Sequence, residues 1–475
     1  MERNKPGGPT MKISSRNYLF SCVAVLAAAL ILLPRVLYAS AAQDKGDRKL
    51  QFAISSTKGL PEKGFWKSVP VFEDVNKDGC LDLASTERLG EGARVWLGDC
   101  KGNWVDSSEG LKLPSKSCGG GVSFADVNRN GILDMVVADH CLGIFVYLGD
   151  GKGKWQEVVG GLAPEVSKTA PSNNDDDADD RKSEKFLGAE TLAVADVNGD
   201  GFVDIVAGAA DSGGFTVYFG DGTGKNWKES RGDDGLPSFQ DQEPGDLYQA
   251  GWVNHLILRD VNKDGHLDVV AAYYYGPRVW LGDGKGKWKL YSEGLPTPAV
   301  GGIFRTVDTG DVNGDGLMDI VTANEVNGVE IYLQTADGTW DGPHDPLPGI
   351  RGGVRGVVLA DLDGDGHLDV LASGAYEMNY GNNFGMFIAR GNGKNGWVEV
   401  ENTGLPRTGL SLDWGVAVGD VNKNGMLDIA VSTGGIVGEL PQWAHRRMPA
   451  DSHLKTMPEL ELPRVQVWLN QAGKN

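Results

Sequence analysis

The sequence predicts an all-β chain folded as a seven-bladed β-propeller, with four antiparallel strands in each blade. Three observations predict it. A nine-residue pattern, Asp-x-[Asp/Asn]-x-[Asp/Asn]-Gly-x-x-Asp, recurs seven times, beginning at Asp74, Asp126, Asp196, Asp260, Asp311, Asp361 and Asp420. Apolar, largely β-branched runs flank each copy, as in 192–195 before Asp196 and 267–271 after Asp260. Gly accounts for 69 of the 475 residues, about double the usual share, which suits short elements joined by tight turns.

Within each repeat the elements follow in a constant order. Successive first Asp residues are 52, 70, 64, 51, 50 and 59 positions apart, and self-similarity at such a period marks a repeat architecture. The run before each first Asp reads as strand one and the run from the ninth residue as strand two. Strand three ends in Leu-Gly-Asp-Gly at 148–151 and 281–284, with variants at 219–222 and 97–100. A Trp then opens strand four, at Trp104, Trp155, Trp227, Trp288, Trp340 and Trp397. The unit closes on Gly-Leu-Pro, at 235–237, 294–296 and 404–406, and four antiparallel strands in roughly fifty residues make a propeller blade. The last repeat ends at 465–469 without a fourth strand. Residues 50–61 end in Gly-Leu-Pro and put Phe52 in the Trp slot. Residues 50–56 are therefore expected to form the outer strand of the last blade, which removes an open edge.

Charge and the N-terminus bound the working environment. Lys plus Arg total 45 against 65 Asp plus Glu, a formal net charge of −20, which would repel a nucleic-acid backbone. Arg3, Lys5, Lys12 and Arg16 precede an apolar run from Tyr18 to Leu33, followed by Pro34 and Ala39-Ser-Ala41. This layout predicts a signal peptide over 1–41 with cleavage after Ala41. The apolar run is short for a membrane span. The expected organisation is a leader at 1–41 and a single propeller at 42–475, with no membrane span after cleavage. Such a protein would be secreted, held at the extracellular surface, or periplasmic.

The repeated loop carries the clearest chemistry. Calcium takes six to eight oxygen ligands at roughly 2.3–2.6 Å. Positions 1, 3 and 5 of the loop aim side-chain oxygens into one concavity, the Gly at position 6 permits the reversal, and position 9 adds a carboxylate. The candidate ligands are Asp74, Asn76, Asp78 and Asp82; Asp126, Asn128, Asn130 and Asp134; Asp196, Asn198, Asp200 and Asp204; Asp260, Asn262, Asp264 and Asp268. The series continues with Asp311, Asn313, Asp315 and Asp319; Asp361, Asp363, Asp365 and Asp369; and Asp420, Asn422, Asn424 and Asp428. Carboxylates at these positions number 3, 2, 3, 3, 3, 4 and 2 in chain order. Clustered anions without a cation are unfavourable, so up to seven structural Ca²⁺ are expected. In the second and seventh loops, a turn held by Asx hydrogen bonds without metal is the alternative. An EF-hand requires an acidic residue at position 12. Here that position holds Ser85, Val137, Ala207, Ala271, Thr322, Ala372 and Val431, which excludes it.

The acidic loop, the Leu-Gly-Asp-Gly turn, the Trp slot and the Gly-Leu-Pro closure together resemble the FG-GAP/VCBS repeat family over residues 50–475. That family of calcium-loop propellers includes the integrin α-subunit head and many secreted bacterial proteins. The resemblance implies the fold, the metal and a carbonyl ligand at position 7. One fold hosts many activities, so it leaves function open.

Cleavage would leave four cysteines. Cys80 and Cys100 fall on the acidic-loop face, and Cys118 and Cys141 on the opposite face. Disulfides 80–100 and 118–141 are expected, in keeping with an oxidising compartment, with four free thiols as the alternative. Insertions at 172–180, 231–249, 374–385 and 434–463 all project from the face opposite the acidic loops. Six residues before each first Asp stand Ser68, Gly120, Glu190, Asn254, Arg305, Arg355 and Trp414, lining the central channel toward that face. The candidate ligand-binding set is Glu190, Asn254, His255, Arg305, Arg355 and Trp414, with Tyr376, Tyr380 and Trp443 nearby. It would serve a carbohydrate or protein ligand, and mutual salt bridging of Arg305, Arg355 and Glu190 is the plainer alternative. No G-x-S-x-G, H-E-x-x-H or Ser/His/Asp grouping is found, so no catalytic residue is assigned. A polysaccharide lyase or hydrolase and a structural envelope subunit remain the other functional classes.

Overall fold

The computed structural model describes residues 49–56, 58–88, 90, 92–112, 117–163, 188–209, 214–230, 234–238, 252–273, 276–296, 302–350, 353–375, 384–410, 413–434 and 464–471, the side chains of 413 and 414 excepted. The expected leader, Tyr376, Tyr380, Trp443 and the insertion at 172–180 lie outside these residues, as does most of the insertions at 231–249 and 434–463.

The described residues form 28 strands in seven four-stranded antiparallel sheets arranged as blades around a ring. Each blade begins with the strand, acidic loop and strand read from sequence. In the third, Ala189–Ala195 runs into the loop and Asp204–Ala209 returns, with Ala195 opposite Asp204 and Val194 opposite Ile205. Phe215–Gly220 and Trp227–Glu229 then add the outer two strands. The second strand of every blade is buried along its whole length, from Asp82–Thr86 in the first to Asp428–Thr433 in the last. Such strands pack on both faces, which is why they read as continuous apolar runs and not as alternation. Fourth strands face water on one side, leaving Val105 and Val398 each 67% exposed.

The core is divided among the blade interfaces. Seven apolar clusters each join one blade to the next. Val206 and Val217 of the third blade, for example, meet Leu256, Val269 and Trp280 of the fourth. Trp104, Trp155, Trp288 and Trp340 are buried, while Trp227 and Trp397 are half-buried.

The ring closes as expected. Phe52–Ile54 pairs antiparallel with Val465–Asn470, setting Phe52 opposite Asn470 and Ile54 opposite Trp468. The regular strand is shorter than 50–56, but backbone bonds from Ser55 to Val467 (2.7 Å) and from Gln471 to Gln51 (2.6 Å) continue the seam. Phe72, Leu83 and Trp96 of the first blade pack on Ala430, Val465 and Val467 of the last. Cys80 pairs with Cys100 and Cys118 with Cys141, at Cα separations of 5.0 and 5.5 Å.

Phe52 is 2% exposed and packs with Phe384, Met386 and Trp468. Phe52→Ala should lower the unfolding free energy by about 3–5 kcal/mol in urea titration. A loss well under about 1 kcal/mol would mean that the N-terminal strand does not seal the ring.

Candidate functional site

The seven acidic loops share one hydrogen-bond scheme. The Gly at position 6 donates its N–H to Oδ2 of the first Asp at 2.7–3.0 Å in every loop. The side-chain oxygen at position 3 accepts from the N–H of position 5, at 2.8–3.1 Å. That of position 5 accepts from position 7, at 2.7–2.9 Å. Asn128, Asn130, Asn422 and Asn424 make the same bonds as their acidic counterparts, so the Asx-turn geometry does not depend on charge. Positions 4 and 6 both take positive φ. Position 4 is Gly at 199, 314 and 364, but Lys77, Arg129, Lys263 and Lys423 hold φ of 54–61°. Some of these cations reach the next loop: Lys77 Nζ bonds the Gly131 carbonyl and Lys263 Nζ the Gly316 carbonyl, and Arg129 lies 5.3 Å from the Phe202 ring.

The ninth residue does a different job. Asp82 accepts N–H bonds from Val75 in its own loop and from Gly98 at the end of strand three, both at 2.9 Å. The equivalent pair recurs at Asp134, Asp204, Asp268, Asp319, Asp369 and Asp428. Burial pushes these carboxyls up, against the pull of the two backbone donors. Asp82, Asp204, Asp319, Asp369 and Asp428 rise to about 7, and Asp134 and Asp268 to about 6. Neighbouring loop carboxylates add to the rise at Asp82, as Asp78 and Asp74 do there. An all-oxygen donor set whose own charges oppose ionisation fits a hard divalent cation. In the sixth loop, oxygens of Asp361, Asp363 and Asp369 lie within 4.8 Å of one another. Ligands on opposite sides of a calcium ion are separated by about that distance.

The sixth loop carries a cation of its own. It has four carboxylates, but Asp363, with its side chain fully buried, faces Arg390 Nε at 2.7 Å. Arg390 occupies the slot held by Leu97, Leu148 and Leu281 in other blades. The extra negative charge therefore comes with its own cation, and the loop keeps a net carboxylate charge like that of the three-carboxylate loops.

The polar residues before the first strands converge on the channel mouth opposite the acidic loops, with partners the repeat pattern did not flag. Arg305 Nε and Arg355 Nη2 both bond Glu325 Oε1, at 2.7 and 2.6 Å, and Arg305 Nη1 bonds Asn254 Oδ1 at 2.9 Å. Glu190 is not part of that bridge, contrary to the plainer expectation. It bonds Lys67 Nζ and His140 Nδ1, each at 2.6 Å. The half-buried ring of Trp252 lies between the two groups: the His140 ring is 5.4 Å from its centroid, Arg305 Cζ 5.9 Å and Lys67 Nζ 6.0 Å. Lys67 and Trp252 belong to blades three steps apart, so these contacts span the channel. His255 is turned to the next blade, where Nδ1 accepts from the Val307 N–H at 3.4 Å. Trp414 lies in the first strand of the last blade, within Asp413–Gly419. Arg88, His140 and Glu325 each stand six residues after a ninth-position Asp, so a second register through the repeats would have found them.

Charge at the mouth is tightly coupled. Burial disfavours ionisation of Glu190, but Lys67 and His140 outweigh it and hold the carboxyl down at about 2. Burial lowers Lys67 to about 8, with Arg88 and Arg305 adding repulsion, even though Glu190 pulls the other way. Both values fall, which favours the ionised form of Glu190 and disfavours that of Lys67, and burial is the dominant cause at Lys67. A separate groove of about 490 Å³ opens on the acidic-loop side beside Asn198, Asp200, Phe219 and Trp227. It has no comparable gathering of paired charges.

Removing the sixth loop's internal cation gives a direct check on that pairing. Arg390→Ala should cost about 3 kcal/mol in chemical unfolding, because it strands a buried carboxylate. Adding Asp363→Asn should restore the greater part. Equal stability of Arg390→Ala and the unmodified chain would show that the pair contributes nothing.

No curated protein matches the chain. Solved structures with a related backbone include an Agrocybe aegerita lectin that recognises non-reducing terminal N-acetylglucosamine. It shows 18% identity over 72% of this chain and 84% of that one, with a TM-score of 0.45. BBS1N in complex with ARL6DN, soaked with lead, shows 10% identity over 81% and 95%, with a TM-score of 0.47. The same complex soaked with mercury shows 10% identity over 81% and 94%, with a TM-score of 0.48. The FG-GAP-like repeat model matches residues 74–137, 260–322 and 311–372. Each match starts at the first Asp of an acidic loop and ends in the second strand of the following blade. In these stretches the chain matches the FG-GAP-like repeat, the family that its acidic loops resemble.

Proposed function

We propose that this protein is an exported, calcium-stabilised propeller that acts as a non-catalytic recognition module, holding a carbohydrate or protein ligand at its channel mouth. One observation carries the reading: ionisable side chains from five blades meet at the mouth opposite the acidic loops, beside the half-buried Trp252. Aromatic rings flanked by a few placed polar groups are the usual furniture of a ligand site. Charges taken out of water and paired this closely add little to stability compared with apolar packing, so their concentration at one mouth favours a binding role. The basic-then-apolar N-terminus and the two cysteine pairs support export to an oxidising compartment.

Calcium's part in this reading is structural. When bound, the ion supplies positive charge that lets the carboxylates of each loop stay ionised together. The loop residues at positions 1, 3, 5 and 9 would hold it, and the chain's own bonds already set their oxygens on one turn. The ninth Asp, tied to strand three, would pass that restraint into the blade.

Two measurements test the proposal. Chelation with EGTA should lower the melting temperature by about 10 °C or more, since several sites each contribute a few kcal/mol at saturating ion. An unchanged transition in material shown by elemental analysis to be free of calcium would remove the metal from the reading. For the ligand, the full chain is screened against immobilised glycans and extracellular proteins. Trp252→Ala and Arg305→Gln are each expected to weaken every genuine hit roughly tenfold or more. Hits that persist undiminished in both variants would place recognition somewhere other than the mouth.

A further inference from the structure

Four of the seven acidic loops carry a side chain where the backbone favours none. Position 4 is left-handed in every loop. It is Gly199, Gly314 and Gly364 in the third, fifth and sixth, but Lys77, Arg129, Lys263 and Lys423 in the others, at φ of 54–61°. This conformation is relaxed for glycine and strained for other residues. Three loops show that glycine suffices at the position, so the strain in the other four is offset by what their side chains reach.

Each reaches forward to the next blade around the ring. Lys77 Nζ donates to the Gly131 carbonyl in the second loop, and Lys263 Nζ to the Gly316 carbonyl in the fifth. Lys423, in the last blade, brings its ammonium to Gly79 of the first loop, where a Cβ on that glycine would lie 3.1 Å from Nζ. All three targets stand at position 6. Arg129 makes a variant contact, its guanidinium 5.3 Å from the ring of Phe202 at position 7 of the third loop.

The gripped carbonyl belongs to a peptide with a second duty. In the fifth loop the N–H of that same peptide, on Leu317, donates to Asp315 Oδ1 at 2.8 Å. In the second loop the corresponding N–H, on Ile132, donates to Asn130 Oδ1 at 2.7 Å. Asp315 and Asn130 are the position-5 candidates for holding calcium. The lysine of one blade is therefore a single peptide unit away from a ligand oxygen of the next. Hydrogen bonds in series polarise one another, so a cation on the carbonyl strengthens the N–H that holds this oxygen.

We infer that Lys77, Lys263 and Lys423 are positioning residues for calcium in the blade that follows their own. The inference rests on the acidic loops binding calcium and adds a partner from outside each loop. It also ranks the loops by their neighbours. The seventh, first and fourth loops support the first, second and fifth in this way, while the sixth neither gives such a contact nor receives one.

The test follows amide hydrogen exchange of the full chain by mass spectrometry while free calcium is raised in a chelator-buffered series. The midpoint of protection in the peptide spanning 311–319 reports the fifth loop, and that in 260–268 the fourth, which contains Lys263. Lys263→Gly keeps the left-handed turn and removes only the side chain. It is expected to move the 311–319 midpoint to roughly fivefold higher calcium, the worth of one exposed charge-assisted bond, and to leave the 260–268 midpoint in place. Lys263→Arg, which keeps a charged donor, should restore most of the loss. A 311–319 midpoint that does not move, or a change confined to 260–268, would overturn the inference and leave the calcium reading standing. So would a midpoint that falls, because a lysine acting merely as a nearby positive charge opposes a second cation, and its removal would ease calcium entry. Absence of calcium-dependent protection in all seven loops of the unmodified chain would sink the calcium reading, and this inference with it.

Discussion

The ninth residue of each acidic loop, an Asp at 0–1% exposure in all seven blades, is the constraint from which the blade geometry follows. Its two oxygens take N–H bonds from the start of the loop and from the end of strand three. One short side chain thus fixes the separation of three strands at one end of the sheet. A buried carboxylate is costly unless its hydrogen bonds are met. The fold meets them with backbone that must lie in that place only if the blade is correctly paired. Local loop and distant strand therefore form together, which suits a repeat whose units stack their apolar faces on one another.

Most of the architecture was legible because it depends on spacing. The recurring Asp pattern counts the blades, the Trp and Gly-Leu-Pro marks locate the outer strand, and Phe52 in the Trp slot reveals which terminus closes the ring. Both cysteine pairs follow from knowing which end of each strand a residue occupies. The mouth was legible only in part. Reading one position per repeat found Glu190, Asn254, Arg305 and Arg355, but not Lys67, His140, Trp252 or Glu325. Those partners lie at neighbouring positions or at the far end of strand two, and the contacts among them cross the channel between blades distant in sequence. No repeat period encodes such contacts. The alternative of mutual bridging among Arg305, Arg355 and Glu190 failed for this reason: each charge found a partner outside the set that had been aligned.

The sixth loop shows what a count of carboxylates leaves out. Its four carboxylates stand as read from the sequence, but Arg390, in a position where most blades carry an apolar residue, faces Asp363. A substitution on strand three changes the electrostatics of a loop nearly thirty residues earlier, because the blade brings them side by side. The Asn-bearing second and seventh loops make the complementary point. They hold the same hydrogen bonds as the acidic ones, so loop shape and loop charge are separately encoded, the first by Gly and Asx chemistry and the second by how many oxygens are ionised.

The two faces of the ring consequently answer to different demands. On the acidic-loop face, every blade repeats one bonding scheme, and departures such as Arg390 restore the charge pattern of neighbouring repeats. On the opposite face, the residues at one register position are Ser68, Gly120, Glu190, Asn254, Arg305, Arg355 and Trp414, with no two neighbouring blades alike apart from Arg305 and Arg355. A scaffold made rigid at one end by repetition can vary at the other without losing its fold, which is the condition under which binding residues accumulate on loops. The charged groups around Trp252 fit that division of labour. They lie where the backbone is already held by seven inner strand pairs, so they can be chosen for what they meet instead of for what they stabilise.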